Sequence, residues 1–210
     1  MLTCGGCASN MNGGGMRVAE TRWVIQRGGT IPSRQQARAT ALCAALCRGW
    51  IAHHIHVRII NSTRLAAWSW PDGDIYITRR LALCLNNGEL SAAIAHEMGH
   101  LINSGSVRCP YSLGRAGEEL GIESGADLTG ARVLASHSIA PRNLLAVLHL
   151  LRHESSNVSL RAALTQRIQI LSSAIASGRV IKRARSISRA RETRERTVPT
   201  GTASTSAASS

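Results

Sequence analysis

The spacing of hydrophobic positions changes twice along the chain, and each change predicts a different kind of element. From Ser33 to Gly49 the apolar side chains recur at helical spacing, with Leu42, Ala45 and Leu46 on one stripe. Ser33 and Gln36, just after Pro32, make an S-x-x-Q capping box at the start of that helix. HIHVRII at 54–60 then alternates and is β-branched, which predicts a strand. RLAAWSW at 64–70 and DIYITRR at 74–80 predict two more, joined by a turn at Pro71, Asp72 and Gly73. Helical spacing returns at Asn87 and Gly88. After a Gly/Ser/Pro loop at 104–114, further helices are predicted over about 117–135, from Pro141 to about 152, and over 159–177. Strands followed by a run of helices place the chain in the α+β class, a small mixed sheet packed on a helix with an all-helical C-terminal half.

Neither period extends to the ends. Residues 1–20, beginning MLTCGGCASNMNGGG, read as a flexible leader. From Arg179 to Arg196 come eight basic residues and two acids, and then TVPTGTASTSAASS, a composition that cannot bury a core. One domain over 21–178, followed by a basic and then Ser/Thr/Ala-rich disordered tail over 179–210, is the expected organisation.

One helix carries the wrong residues for its surroundings. In ELSAAIAHEMGHLINS at 89–104, a step of about 100° per residue from Leu90 puts Ala93, Ile94, Glu97 and Leu101 on one stripe, with His96 and His100 along its edge. The opposite side offers Ala92, Ala95, Gly99 and Ile102, so the helix is apolar or small nearly all round and belongs in an interior. Burying a carboxylate and two imidazoles there is costly unless something compensates them, and a metal ion would. His96 and His100, four residues apart on one face, can reach one ion with both rings, while Glu97 projects beside them toward a metal-bound water. Zinc, one per chain, suits the mixture of imidazole and carboxylate. The motif needs a third ligand, and GIESGAD at 121–127 supplies Glu123 on the following helix, with Asp127 one turn further along as an acceptor for the free N–H of a ligating histidine. Gly125 and Gly130 are expected to let the two helices approach closely.

Charge and cysteine content alter this picture little. The 25 Lys+Arg against 12 Asp+Glu give a net +13, much of it near the end of the chain. That excess suits a weak contact of 179–196 with a polyanion or anionic lipid, or simply a solvated tail. No apolar run approaches the roughly 18 residues of a membrane span. The start lacks the basic and apolar regions of a signal peptide, so a soluble cytoplasmic protein is favoured, with export or membrane association if the true start lies upstream. Of the six cysteines, Cys4 and Cys7 form a lone C-x-x-C, Cys43 and Cys47 lie one helical turn apart as small apolar side chains, and Cys84 and Cys109 flank the histidine helix, where an oxidising compartment would let them pair.

DGDIYITRRLALCLNNGELSAAIAHEMGHLI at 72–102 resembles the core of the HtpX / CAAX prenyl protease metallopeptidases, whose members show an Asn-Ala-Phe, Gly, Ile-Tyr-Val-Thr strand region, then an acidic residue and HExxH. ESGAD at 123–127 matches that family's E-x-x-A-D and the general gluzincin pattern. Over roughly 33–175 the resemblance implies a zincin-like fold and a zinc metalloendopeptidase acting on protein or peptide substrates. It implies His96, His100 and Glu123 as zinc ligands, Glu97 as general base and Asp127 as the partner of His96. Two departures matter: Ala66-Ala67-Trp68 stands for Asn-Ala-Phe, so the strand that would align substrate is only approximately matched, and the lack of transmembrane helices with only a short loop between His100 and Glu123 suggests a soluble, minimal member. A third concerns RAALTQRIQIL at 161–171, where Arg167 and Ile168 match the family's closing Arg-Ile but Arg161 stands where relatives carry a histidine. If that histidine stabilises the oxyanion, Arg161 or the out-of-register His153 must do so here.

Two other readings stay open: a pseudo-protease keeping zinc as a binding element, and a polyanion-binding protein acting through its tail. Intact Glu97 argues against the first, since a structural site needs no base. The tail's lack of interleaved aromatics argues against a base-stacking role.

Overall fold

The computed structural model describes residues 13–48, 50, 55–103, 116–181 and 184. Three strands, β1 (His56–Ile60), β2 (Ala67–Ser69) and β3 (Asp74–Thr78), form one sheet in the order β1-β3-β2, with β1 parallel and β2 antiparallel to β3. Around it lie α1 (Gly13–Ile25), α2 (Arg34–Cys47), α3 (Arg79–Cys84), α4 (Asn87–Asn103), α5 (Ala116–Ser136), α6 (Arg142–Glu154) and α7 (Val158–Ala176). The α+β class and helical second half are as expected.

The period-2 pattern of the strands builds two cores. Val57 and Ile59 of β1 and Ile75 and Ile77 of β3 point to one face, where they join Leu46 of α2 and Leu90, Ile94 and Met98 of α4 in the main core. Tyr76 and Ile60 point to the other, against Trp23, Val24 and Trp70. The second core corrects the expected leader. Residues 13–20 begin α1, and Trp23 packs edge-on to Trp68 and Trp70 at centroid distances of 5.0 and 5.7 Å. The Tyr76 hydroxyl donates to the buried Glu20 carboxylate at 2.8 Å, tying this helix to the sheet.

Ser33 caps α2 by accepting from the Gln36 N–H at 3.2 Å. The reciprocal half of the expected box is replaced by a tertiary contact, since the Gln36 amide accepts from the Ile59 N–H and donates to the Val57 carbonyl, pairing the open edge of β1. The third expected strand is shorter than its pattern. The Thr78 hydroxyl accepts from the Leu81 N–H and caps a new helix, so Arg79 and Arg80 begin α3. At the other end of the domain Val180 and Ala184 are buried, so the core extends into the first residues of the expected tail. The rest of that tail, residues 1–12, and Cys4, Cys7 and Cys109 lie outside the described residues. Cys43, Cys47 and Cys84 are free thiols. None of the described helices is long and apolar enough to cross a membrane.

Candidate metal centre

α4 starts at a capping box the sequence reading passed over. The Asn86 side chain accepts from the Glu89 N–H at 3.0 Å while Glu89 accepts from the Asn86 N–H at 2.9 Å. The helix then runs through the interior and brings His96 and His100 within reach of Glu123 on α5, with Glu97 buried on its apolar stripe. That meeting is close because two glycines face backbone. A Cβ on Gly99 would collide with the Ala126 carbonyl, and one on Gly130 would lie 2.7 Å from the Ala95 carbonyl oxygen and 2.9 Å from the His96 nitrogen. Gly130 thus takes the place expected of it, whereas Gly125 faces only the Asn103 side chain at ordinary contact distance, and Gly99 does the work on the opposite helix. Thr129 adds a cross-helix bond, its hydroxyl donating to the Asn103 side chain at 2.9 Å.

The close approach gathers three donor groups. His96 Nε2 lies 3.2 Å from His100 Nε2 and 3.4 Å from Glu123 Oε2, and His100 Nε2 lies 3.3 Å from Glu123 Oε1. Four ligands around zinc at about 2.0–2.1 Å stand about 3.3–3.4 Å from one another at the corners of a tetrahedron. The two imidazole nitrogens and the Glu123 carboxylate, each of whose oxygens faces one of the rings, therefore have spacings of this size. Asp127 Oδ1 lies 2.9 Å from His96 Nδ1, on the side of the ring away from the other donors. Glu97, beside them on α4, is buried.

Behind the carboxylates stands Arg167 of α7, itself buried. Its Nε and Nη2 donate to Asp127 Oδ2 and Oδ1, both at 2.8 Å, and its Nη1 lies 2.8 Å from Glu123 Oε2. The sequence marked Arg167 only as part of a motif. The sign it left was an arginine on the stripe of Leu164, Ile168 and Leu171, the same anomaly that exposed Glu97. Arg161 is exposed in the first turn of α7 and makes none of the described contacts of this cluster. The His153 side chain is 85 % exposed beside Glu154 at the end of α6.

Burial alone would keep these groups neutral, and their neighbours prevent it. His96 is buried against its charge, yet the Asp127 and Glu123 carboxylates outweigh that and raise it to about 10 without a metal. Burial likewise opposes charge on Glu123 and Asp127. His100, His96 and Arg167 around the first, and Arg167 and His96 around the second, hold both carboxyls below their usual range. With neutral imidazoles, the form that binds metal, three carboxylates and one guanidinium sum to −2, which a divalent cation cancels. Donor types, spacing and charge all fit zinc.

Residues 33–114 match the family model of peptidase family M48. This segment, from α2 through the histidine helix, is thus similar to the M48 peptidases over less than half of the chain. The match covers the family as a whole and not its HtpX / CAAX prenyl protease branch, and it ends before Glu123, Asp127 and Arg167, whose place in the site rests on the geometry above. No curated protein matches the chain.

Proposed function

We propose that the chain is a zinc-dependent metalloendopeptidase in which His96, His100 and Glu123 hold the ion and Glu97 is the general base. The observation that carries this reading is the spacing of the three donor groups, 3.2–3.4 Å apart on α4 and α5. A bound zinc ion supplies Lewis-acid polarisation of the peptide carbonyl and a water acidified toward neutrality. Glu97 takes a proton from the attacking water and returns it to the leaving amine nitrogen, which is why a carboxylate is kept at a buried position beside two histidines. Asp127 fixes the ring orientation of His96 from the Nδ1 side, so that Nε2 faces the ion. β2 pairs with β3 on one side only among the described residues and packs on α4, so its other edge can take an extended peptide by strand addition.

Metal analysis of the purified chain, paired with cleavage of a peptide library with and without chelator, tests the reading. Stoichiometric zinc and chelator-sensitive cleavage within peptides are expected. A metal-free protein, or zinc without any cleavage, overturns the enzyme, and the second result would leave a zinc-binding pseudo-protease.

A further inference from the structure

A single guanidinium on α7 reaches both carboxylates that α5 contributes to the centre. Nε and Nη2 of Arg167 close a two-pronged contact on Asp127, and the remaining terminal nitrogen, Nη1, sits on Glu123 Oε2. Each prong has a counterpart on the metal side. Asp127 Oδ1, which accepts from Arg167, is the atom facing His96 Nδ1; Glu123 Oε2, which Arg167 also contacts, lies 3.4 Å from His96 Nε2, and Glu123 Oε1 faces His100. The packing of Leu164, Ile168 and Leu171 in the core fixes the helix from which Arg167 reaches.

Resting on the zinc reading above, we propose that Arg167 is a positioning residue of the metal centre. It clamps Glu123 through Oε2 and Asp127 through both oxygens, so that the donor set is built before the ion arrives. A guanidinium can do this because its donors are coplanar and fixed in direction, whereas a lysine ammonium of equal charge offers a single point. The clamp also answers how a buried and a half-buried carboxylate can stay side by side on one helix in the absence of metal: the buried cation between them compensates their charge. The cost is electrostatic, since a positive group so near Glu123 opposes a second cation. The pre-built geometry outweighs that repulsion, so removing Arg167 lowers affinity rather than raising it.

The test uses the full chain as wild type, Arg167→Lys and Arg167→Met, with helix content followed by circular dichroism, zinc affinity by competition with a chromophoric chelator, and the visible absorption of the cobalt(II)-substituted protein. Four-coordinate cobalt absorbs strongly and higher-coordinate cobalt weakly, so the spectrum reads what a merely structural role would leave unmoved. Arg167→Met is expected to keep its helix content, lose about 10- to 100-fold in zinc affinity and weaken the cobalt bands. Arg167→Lys should fall between it and the wild type. Folded variants with wild-type affinity and cobalt spectrum would overturn the inference while leaving the zinc site standing. If Arg167→Met does not fold, Arg167→Lys carries the comparison, and loss of fold in both would make Arg167 a determinant of folding and overturn the positioning role. A wild type that binds neither zinc nor cobalt sinks the metal reading itself, an outcome separable from the others because it needs no variant.

Discussion

Gly130 of α5 stands against the backbone of His96 in α4, so near that a Cβ at Gly130 would lie 2.9 Å from the His96 nitrogen. The residue that holds a candidate ligand and the residue that lets the next helix reach it are thus in contact. Glu123, nearly two turns earlier on α5, comes within 3.4 Å of His96 Nε2 because of that approach.

Gly130→Ala should consequently push α5 away from α4. Overpacking of this kind typically costs about 1–3 kcal/mol, so the melting temperature should drop and zinc affinity should fall with it. Gly125→Ala is the contrast, since its Cβ would make only ordinary contact with Asn103 at 3.5 Å and alanine is the better helix former by about 1 kcal/mol. It should be neutral or stabilising. Thermal melts of the two variants with and without zinc check the pair, and equal effects would mean that the helices slide freely.

Glu97→Gln should keep zinc and lose most proteolysis, by roughly the 100- to 10,000-fold that a general base contributes. His100→Ala and Glu123→Ala should instead lower zinc content and melting temperature together, because metal binding contributes to folding free energy. Zinc analysis separates the two classes. A zinc-free Glu97→Gln would make Glu97 a ligand, and full occupancy in Glu123→Ala would place the third ligand elsewhere.

Outside the site, the Glu20–Tyr76 contact makes part of the stability depend on pH. Burial is the main cause that raises the Glu20 carboxyl from 4.5 to about 7; the Tyr76 hydroxyl opposes this, and Asp72 and Asp74 add to it. Between those two values the folded chain holds a proton that the unfolded chain has released, so stability is full below about 4.5, falls as pH rises, and levels off above about 7. Glu20→Gln should remove this slope and stabilise the protein at pH 8 by about 1–2 kcal/mol, discounting for partial solvation of the acids nearby. Denaturant titrations of both proteins from pH 5 to 8 read the difference, and parallel curves would show that Glu20 titrates normally.

What was legible in the sequence follows from where polar residues interrupt apolar spacing. Glu97 on the stripe of Leu90, Ile94 and Leu101 announced a site, and the helix that would carry Glu123 followed from its own boundaries. α1 was not legible, because its Gly-rich start has a weak pattern and its anchors, Trp23 and Glu20, find their partners on strands some fifty residues away. The end of β3 was misjudged because a threonine continues a strand or caps a helix equally well, and only the Leu81 N–H at Thr78 decides between them. The reach of the core into 179–184 was hidden in the same way, since Val180 and Ala184 lie among basic residues whose composition dominates the window.

Variants of Arg161 and Arg167 test a role in turnover separately from a role in holding metal. Arg161 lies six residues before Arg167 on α7, about 9 Å along the axis and about 120° around it, so one helix presents one guanidinium to the carboxylates and another to solvent. An exposed guanidinium can donate to a developing oxyanion, and needs no proton of its own to do so. Losing one such donor typically costs about 100- to 1000-fold in turnover. Arg161→Ala is therefore expected to lower kcat much more than it raises KM while leaving zinc content and melting temperature unchanged, the reverse of the Arg167 variants. His153→Ala should change little, because its side chain is exposed at the far end of α6 and pairs with Glu154 rather than with any described group of the centre. Steady-state kinetics with zinc analysis on the two alanine variants decides the matter. Parent-like turnover in Arg161→Ala alongside a large loss in His153→Ala would transfer the oxyanion role to His153.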